Sequence, residues 1–159
     1  MTAIVCVSQN WGIGRDGALL FRISADLKRF KALTVGKTVI LGRKTLDTFP
    51  GGKPLKDRRN IVLSRRELDI PGAEIAHSFE EAAALGGDDA IVIGGASVYM
   101  ALLSRCDRVY VTKVDAAPDA DSFFPDLDDN PDWRVASESE VFEKNGLKFR
   151  FVDYIRNCN

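Results

Sequence analysis

Thr38-Val39-Ile40-Leu41-Gly42-Arg43-Lys44-Thr45 reads as a buried strand that halts at a glycine and passes at once into a helical turn. A helix starting behind a glycine leaves backbone N–H groups free, with the positive end of the helix dipole behind them. An arginine, a lysine and a threonine hydroxyl complete a socket for phosphate. A second junction has the same form: Ala90-Ile91-Val92-Ile93 runs into Gly94-Gly95-Ala96-Ser97, after which a helical pattern begins. Two sockets point to a ligand with more than one phosphate, and a dinucleotide is the natural candidate.

Outward from these junctions, strand signals lie at 3–8, 60–63, 108–114, 134–137 and 147–155, besides 38–41 and 90–93. Helix signals fall between them. Ser24 is placed to cap a helix through about Leu33, Ser78-Phe79-Glu80-Glu81 reads as a capping box, and Ser97–Leu103 forms a short third helix. Alternation of strand and helix predicts an α/β fold with right-handed crossovers. Asn145-Gly146 is a hairpin signal, so the sheet is expected to end in an antiparallel edge. The acidic stretch 115–132 reads as a long surface loop.

The 159 residues, 45% apolar, make one domain of 1–159. A net charge of −1 with interspersed signs gives no nucleic-acid footprint. No apolar run approaches a membrane span, and the N-terminus lacks the form of a signal peptide. Cys6, Cys106 and Cys158 are scattered, without metal-ligand spacing, so free thiols in a cytoplasmic protein and no metal are expected.

Gly12-Ile13-Gly14-Arg15-Asp16-Gly17 matches a dinucleotide fingerprint. That fingerprint needs its last glycine in the opening turn of a helix. Here the apolar run Ala18-Leu19-Leu20-Phe21-Arg22-Ile23 intervenes, and a mobile lid fits better. Asp26 suits a helix N-terminus on dipole grounds alone. Framed by Ile23, Leu27 and Phe30, it is also expected to face a partly apolar cavity and to seek a ligand with paired N–H donors.

In this order and spacing, Ile13-Gly14, Asp26-Leu27 with Phe30, Gly42-Arg43-Lys44-Thr45, Arg58 with Asn60–Arg65, and Ile93-Gly94-Gly95 with Val98-Tyr99 resemble the dihydrofolate reductase family over essentially the whole chain. The resemblance implies a mostly parallel, eight-stranded twisted sheet with an antiparallel C-terminal edge and four flanking helices. It implies reduction of dihydrofolate to tetrahydrofolate with NADPH, by a monomer. Arg43, Ser64 and Arg65 would hold the 2′-phosphate. Lys44 and Thr45, with the Gly95-Ala96-Ser97-Val98 backbone, would hold the pyrophosphate. Gly94-Gly95 would carry a cis peptide. The nicotinamide would rest near Cys6, Ile13, Ile93 and Tyr99, with Gly14, Leu19, Gly42 and Leu63 also on the cofactor.

The same resemblance implies a pterin against Ile4, Val5, Leu27 and Phe30, with Ile93 and Tyr99 at its nicotinamide side. Asp26 would be its catalytic grip and Thr112 the partner of Asp26. Arg58 would bind the α-carboxylate of the glutamate tail, with Leu55, Phe49 and Thr48 along the aminobenzoyl path. Asp26 is expected to raise the basicity of the bound ring, while water passing the 12–21 lid delivers the proton. His77 is assigned no catalysis, and lies where it could touch the adenine. The chain has Leu20-Phe21 where most relatives have Pro-Trp, so it lacks the indole donor. Two other readings are a riboflavin-synthesis reductase of the same fold and a non-catalytic folate or nucleotide binder. Asp26 and Arg58 argue against the first.

Overall fold

A computed structural model describes residues 1–158. Its strands are β1 (Thr2–Val7), β2 (Gly12–Arg15), β3 (Ala18–Leu19), β4 (Thr38–Gly42), β5 (Arg59–Leu63), β6 (Ala73–Ala76), β7 (Ile91–Gly94), β8 (Arg108–Val114), β9 (Ser122–Phe123), β10 (Trp133–Glu138), β11 (Phe142–Lys144) and β12 (Leu147–Arg156). Its α-helices are α1 (Ser24–Thr34), α2 (Arg43–Leu46), α3 (Phe79–Gly86) and α4 (Ala96–Leu102). The main sheet runs β10-β12-β8-β1-β7-β4-β5-β6, with β11 paired to β12. Pairing is parallel from β8 to β6 and antiparallel among β8, β12, β10 and β11. The expected eight strands with an antiparallel C-terminal edge are therefore present, with β11 added beside them.

Strand alternation divides the core between the two faces. On one face Val5, Ile40, Val92 and Val109 pack with Ala82 and Ala83 of α3 and Leu102 of α4. On the other, Val39, Leu41, Val62, Ile91 and Ile93 pack with Phe30 of α1 and with Phe49 and Leu55 from the segment after α2. Ile4, Phe30, Phe49 and Leu55, which the family resemblance implies for the substrate, pack on this second face.

Three sequence expectations need correction. Ser24 is the first helical residue of α1; the N-cap is Ile23, which has no side-chain acceptor to offer. Ser78 does cap α3, accepting from the Glu81 N–H at 3.0 Å, but Glu81 returns its bond to the N–H of His77. The 115–132 stretch is no simple surface loop. It contains β9 and buries Phe124 and Leu127 at 2% and 1% exposure. Its acidic residues hid two apolar anchors.

Phe124 explains how the first loop is held. β2 pairs with β3 and with β9, making a small three-stranded sheet beside the main one. Trp11, at φ 64°, lies in the left-handed region, an outlier for a bulky side chain. Its carbonyl accepts from the Phe124 N–H at 2.8 Å, its ring stacks on Phe124 at 6.2 Å, and Lys113 sits 5.0 Å above it. The loop tip is tied separately, by Asp121 accepting from the Asp16 N–H at 2.9 Å.

Candidate active site

β4, β5 and β7 end side by side, and the turns after them line a groove of about 720 Å³. Gly42, Arg43, Lys44 and Thr45 come from the β4–α2 junction, Leu63, Ser64 and Arg65 from the end of β5, and Gly95, Ala96, Ser97 and Val98 from the β7–α4 junction. Ile13, Gly14 and Leu19 close it from the first loop. The two junctions meet because glycines let them. A Cβ on Gly42 would lie 3.3 Å from Val98 Cγ2, and one on Gly95 would lie 3.3 Å from Thr45 Oγ1. Gly94 has φ 130°, and the Gly94-Gly95 peptide is cis.

This groove fits a phosphorylated dinucleotide. α2 spans only four residues, so the positive charge of the groove comes chiefly from side chains: Arg43, Lys44 and Arg65 line a cavity also lined by Thr45, Ser64 and Ser97. Arg43 Nη1 is held 2.6 Å from Asp47. His77 and Phe79 line the same groove, with His77 Nδ1 2.9 Å from the Ser64 carbonyl. Sequence patterning does not single out Phe79, Arg15, Ala18 or Ser122. Phe79 is 37% exposed at the first position of α3, and a capping-box reading offers no reason to separate it from an ordinary core residue.

Asp26 projects from the first turn of α1 and is half-buried. Thr112 Oγ1 donates to its Oδ1 at 2.5 Å. Burial raises the proton affinity of this carboxyl above its ordinary value, against the opposing pull of the Thr112 hydroxyl, Arg29 and the Cys6 thiol. Thr112 and Cys6 are register partners on β8 and β1, so they present side chains to the same face. Burial, then the negative charge of Asp26, push the Cys6 thiol well above its ordinary pKa, so it stays protonated.

Ile4, Phe30, Phe49 and Leu55 pack against one apolar cluster that includes Ile93. Leu27 is 47% exposed and Thr48 lines the cofactor groove too. Val5 departs from expectation: alternation along β1 turns its side chain into the opposite core, leaving only its backbone on the site face. Arg58 is aimed by two bonds, from Nε to the Lys56 carbonyl at 2.8 Å and from Nη1 to Thr34 Oγ1 at 3.0 Å. It therefore sits at the C-terminal end of the helix that carries Asp26.

Tyr99 joins the two halves. Its hydroxyl donates to the Ile4 carbonyl at 2.6 Å and lies 3.5 Å from where a Gly94 Cβ would stand. Burial keeps the phenol protonated. A smaller hollow of about 380 Å³ lies between the first loop and residues 47–50, where Arg22 Nη2 donates to the Thr48 carbonyl at 3.3 Å. Nothing in the sequence sets Arg22 apart from other surface bases.

Residues 1–156 match the family described as dihydrofolate reductase. The chain belongs to the dihydrofolate reductase family. It is 39% identical over 160 residues to the dihydrofolate reductase of Neisseria meningitidis serogroup B, covering 98% of each chain. It is 37% identical over 150 residues to that of Mycobacterium tuberculosis, covering 91% of each. It is 37% identical over 164 residues to dihydrofolate reductase HdrB of Haloferax volcanii, covering 96% of this chain and 81% of the relative. Membership in the dihydrofolate reductase family makes the chain an oxidoreductase that reduces dihydrofolate with a nicotinamide cofactor, and sets aside the riboflavin-synthesis and non-catalytic readings. No helix among the described residues is long and apolar enough to cross a membrane.

Proposed function

We propose that this enzyme uses NADPH in particular to reduce 7,8-dihydrofolate to 5,6,7,8-tetrahydrofolate, with Asp26 as its catalytic carboxylate. The observation that carries the reading is the half-buried Asp26–Thr112 pair, joined through Cys6 and Tyr99 to a groove bearing Arg43, Lys44, Ser64 and Arg65. Two arginines and a serine lining that groove are what a 2′-phosphate requires and a bare ribose does not.

Bound NADPH supplies the hydride. The protein's part is placement and electrostatics. Asp26 accepts paired N–H donors from the pterin through its carboxylate, whose geometry Thr112 fixes. Ile4, Leu27 and Phe30 exclude water from the ring, so the carboxylate's negative charge acts at low dielectric and raises the ring's affinity for a proton. The proton enters past the 12–21 loop. Phe49, Leu55 and Thr48 flank the aminobenzoyl group, and Arg58 takes the tail carboxylate. Three unpaired cysteines fit a reducing, cytoplasmic setting, and we assign the enzyme as a monomer.

Loss of NADPH absorbance on adding dihydrofolate tests the reading, with NADH run alongside. Turnover with NADPH well above that with NADH is expected. Equal turnover with both would refute the cofactor assignment.

A further inference from the structure

α1 carries the catalytic carboxylate, and one side chain fastens that helix to the antiparallel part of the sheet. Arg29, one turn beyond Asp26, reaches across to β12, where its Nη2 lies 2.9 Å from Asp153 Oδ1. Its guanidinium carbon lies 4.4 Å from the centre of the Phe151 ring and 5.4 Å from that of Tyr110. Arg108 flanks the same acid at 3.7 Å and the same Tyr110 ring at 5.7 Å. The Arg29 and Asp153 side chains are 24% and 18% exposed, so this is a partly desolvated clamp and not a loose surface pair.

The register places the clamp beside the site. Phe151, beneath Arg29, is the cross-strand partner of Thr112, and Asp153 is the partner of Tyr110. A planar cation stacked on Phe151 and bonded to Asp153 fixes where α1 crosses β8 and β12. That crossing decides whether Asp26 meets the Thr112 hydroxyl.

We propose that Arg29 is a positioning residue for Asp26, holding the carboxylate on Thr112 through the Asp153–Phe151–Tyr110 clamp and placing a fixed positive charge behind it. The inference rests on the reading of Asp26 as the catalytic carboxylate. The groups that bear on Asp26 are Arg29 from its own helix, Cys6 from β1, Thr112 from β8 and Tyr99 from α4. Burial keeps Cys6 and Tyr99 protonated, so Arg29 is the charged member of that set.

The test compares Arg29→Met, which keeps the hydrocarbon length without charge, with Arg29→Lys, which keeps the charge without the planar stack. Single-turnover reduction is followed from pH 5 to 9, and KM is measured for each ligand. Arg29→Met is expected to move the apparent pKa of hydride transfer upward by about 0.5–1 unit, because a lost cation raises the proton affinity of carboxylate and bound ring alike. It should also raise KM for dihydrofolate several-fold and leave KM for NADPH unchanged. Arg29→Lys should keep the original pKa while losing part of the dihydrofolate affinity.

A folded Arg29→Met enzyme with unchanged pH profile and unchanged dihydrofolate KM, altered only in melting temperature, would reduce the clamp to a structural role and overturn the proposal. If Arg29→Met does not fold, Arg29→Lys decides alone: loss of dihydrofolate affinity at constant pKa supports the proposal, and wild-type values throughout overturn it. Asp26→Asn run in parallel separates the two levels, since full activity in that variant would remove the site reading itself.

Discussion

The hydroxyl of Thr112 on β8 stands 2.5 Å from Oδ1 of Asp26 on α1, 86 residues earlier in the chain. The bond crosses from sheet to helix and orients a carboxylate that burial alone would leave unsatisfied. Thr112→Val keeps the shape of the side chain and removes the donor. A hydrogen bond to a charged group contributes about 1.5–3 kcal/mol, so KM for dihydrofolate should rise roughly tenfold or more. The apparent pKa of turnover should move upward, because the hydroxyl opposes protonation of Asp26. Steady-state kinetics across pH check both, and an unchanged KM would refute the pairing.

Asp26→Asn should lower hydride transfer near neutral pH by about a hundredfold or more, with NADPH affinity by titration unchanged. The same variant should be the more stable protein in the absence of ligand. The folded-state pKa of Asp26 is raised, so the native state holds this proton more tightly than the unfolded chain. Wild-type stability therefore gains as pH falls through the folded pKa, and the penalty is fully present above it. The melting-temperature advantage of Asp26→Asn should be largest near pH 7 and fade below about pH 4, the ordinary carboxylate value. An advantage that does not depend on pH would show that desolvation of the charged carboxylate is not its cause.

Arg43 and Arg65 follow the paired strands β4 and β5, whose last residues Gly42 and Leu63 are register partners, and both line the groove. Arg43→Ala should reduce the preference for NADPH over NADH by about tenfold to a hundredfold, the worth of one charge-assisted contact. Binding of both dinucleotides, followed by fluorescence titration, measures the ratio. Equal weakening of both would place Arg43 on the shared pyrophosphate instead.

Gly94→Ala introduces a Cβ at φ 130°, 3.5 Å from both Thr45 Oγ1 and the Tyr99 hydroxyl. Stability should fall by about 1–3 kcal/mol, and cofactor affinity should fall with it. Gly146→Ala is the control: its φ is also positive, at 81°, but a Cβ there meets nothing within 4 Å. It should cost stability and leave cofactor binding intact. Thermal melts and dinucleotide titration of the two variants, side by side, distinguish backbone strain at the junction beside the groove from the same strain at a remote turn.

The Gly42 and Gly94-Gly95 junctions are legible in the sequence because strand ending, glycine and phosphate chemistry coincide in a few consecutive residues. Asp26 is legible through its apolar frame. Val5 is not, because resemblance assigns a residue to a site without saying which face of β1 its side chain takes. Arg29 and Asp153 are 124 residues apart, and in sequence each is one surface charge among many. Phe124 and Leu127 are masked by the acids around them, although their burial pins the acidic segment to the core. Ser24 fails as a cap because sequence shows a capping residue type and not the backbone conformation it adopts.

The pairing of β2 with β9 sets an order of assembly. A flap encoded in the first twenty residues has only its own β2–β3 hairpin until residue 123 exists, so the phosphate sockets are complete in a shorter length of chain than the seated flap. A fragment ending before β9 would keep both glycine junctions yet lack the hydrogen bonds that close the groove. Capacity to hold the nucleotide and capacity to shield the reaction would thus be acquired at different moments of synthesis.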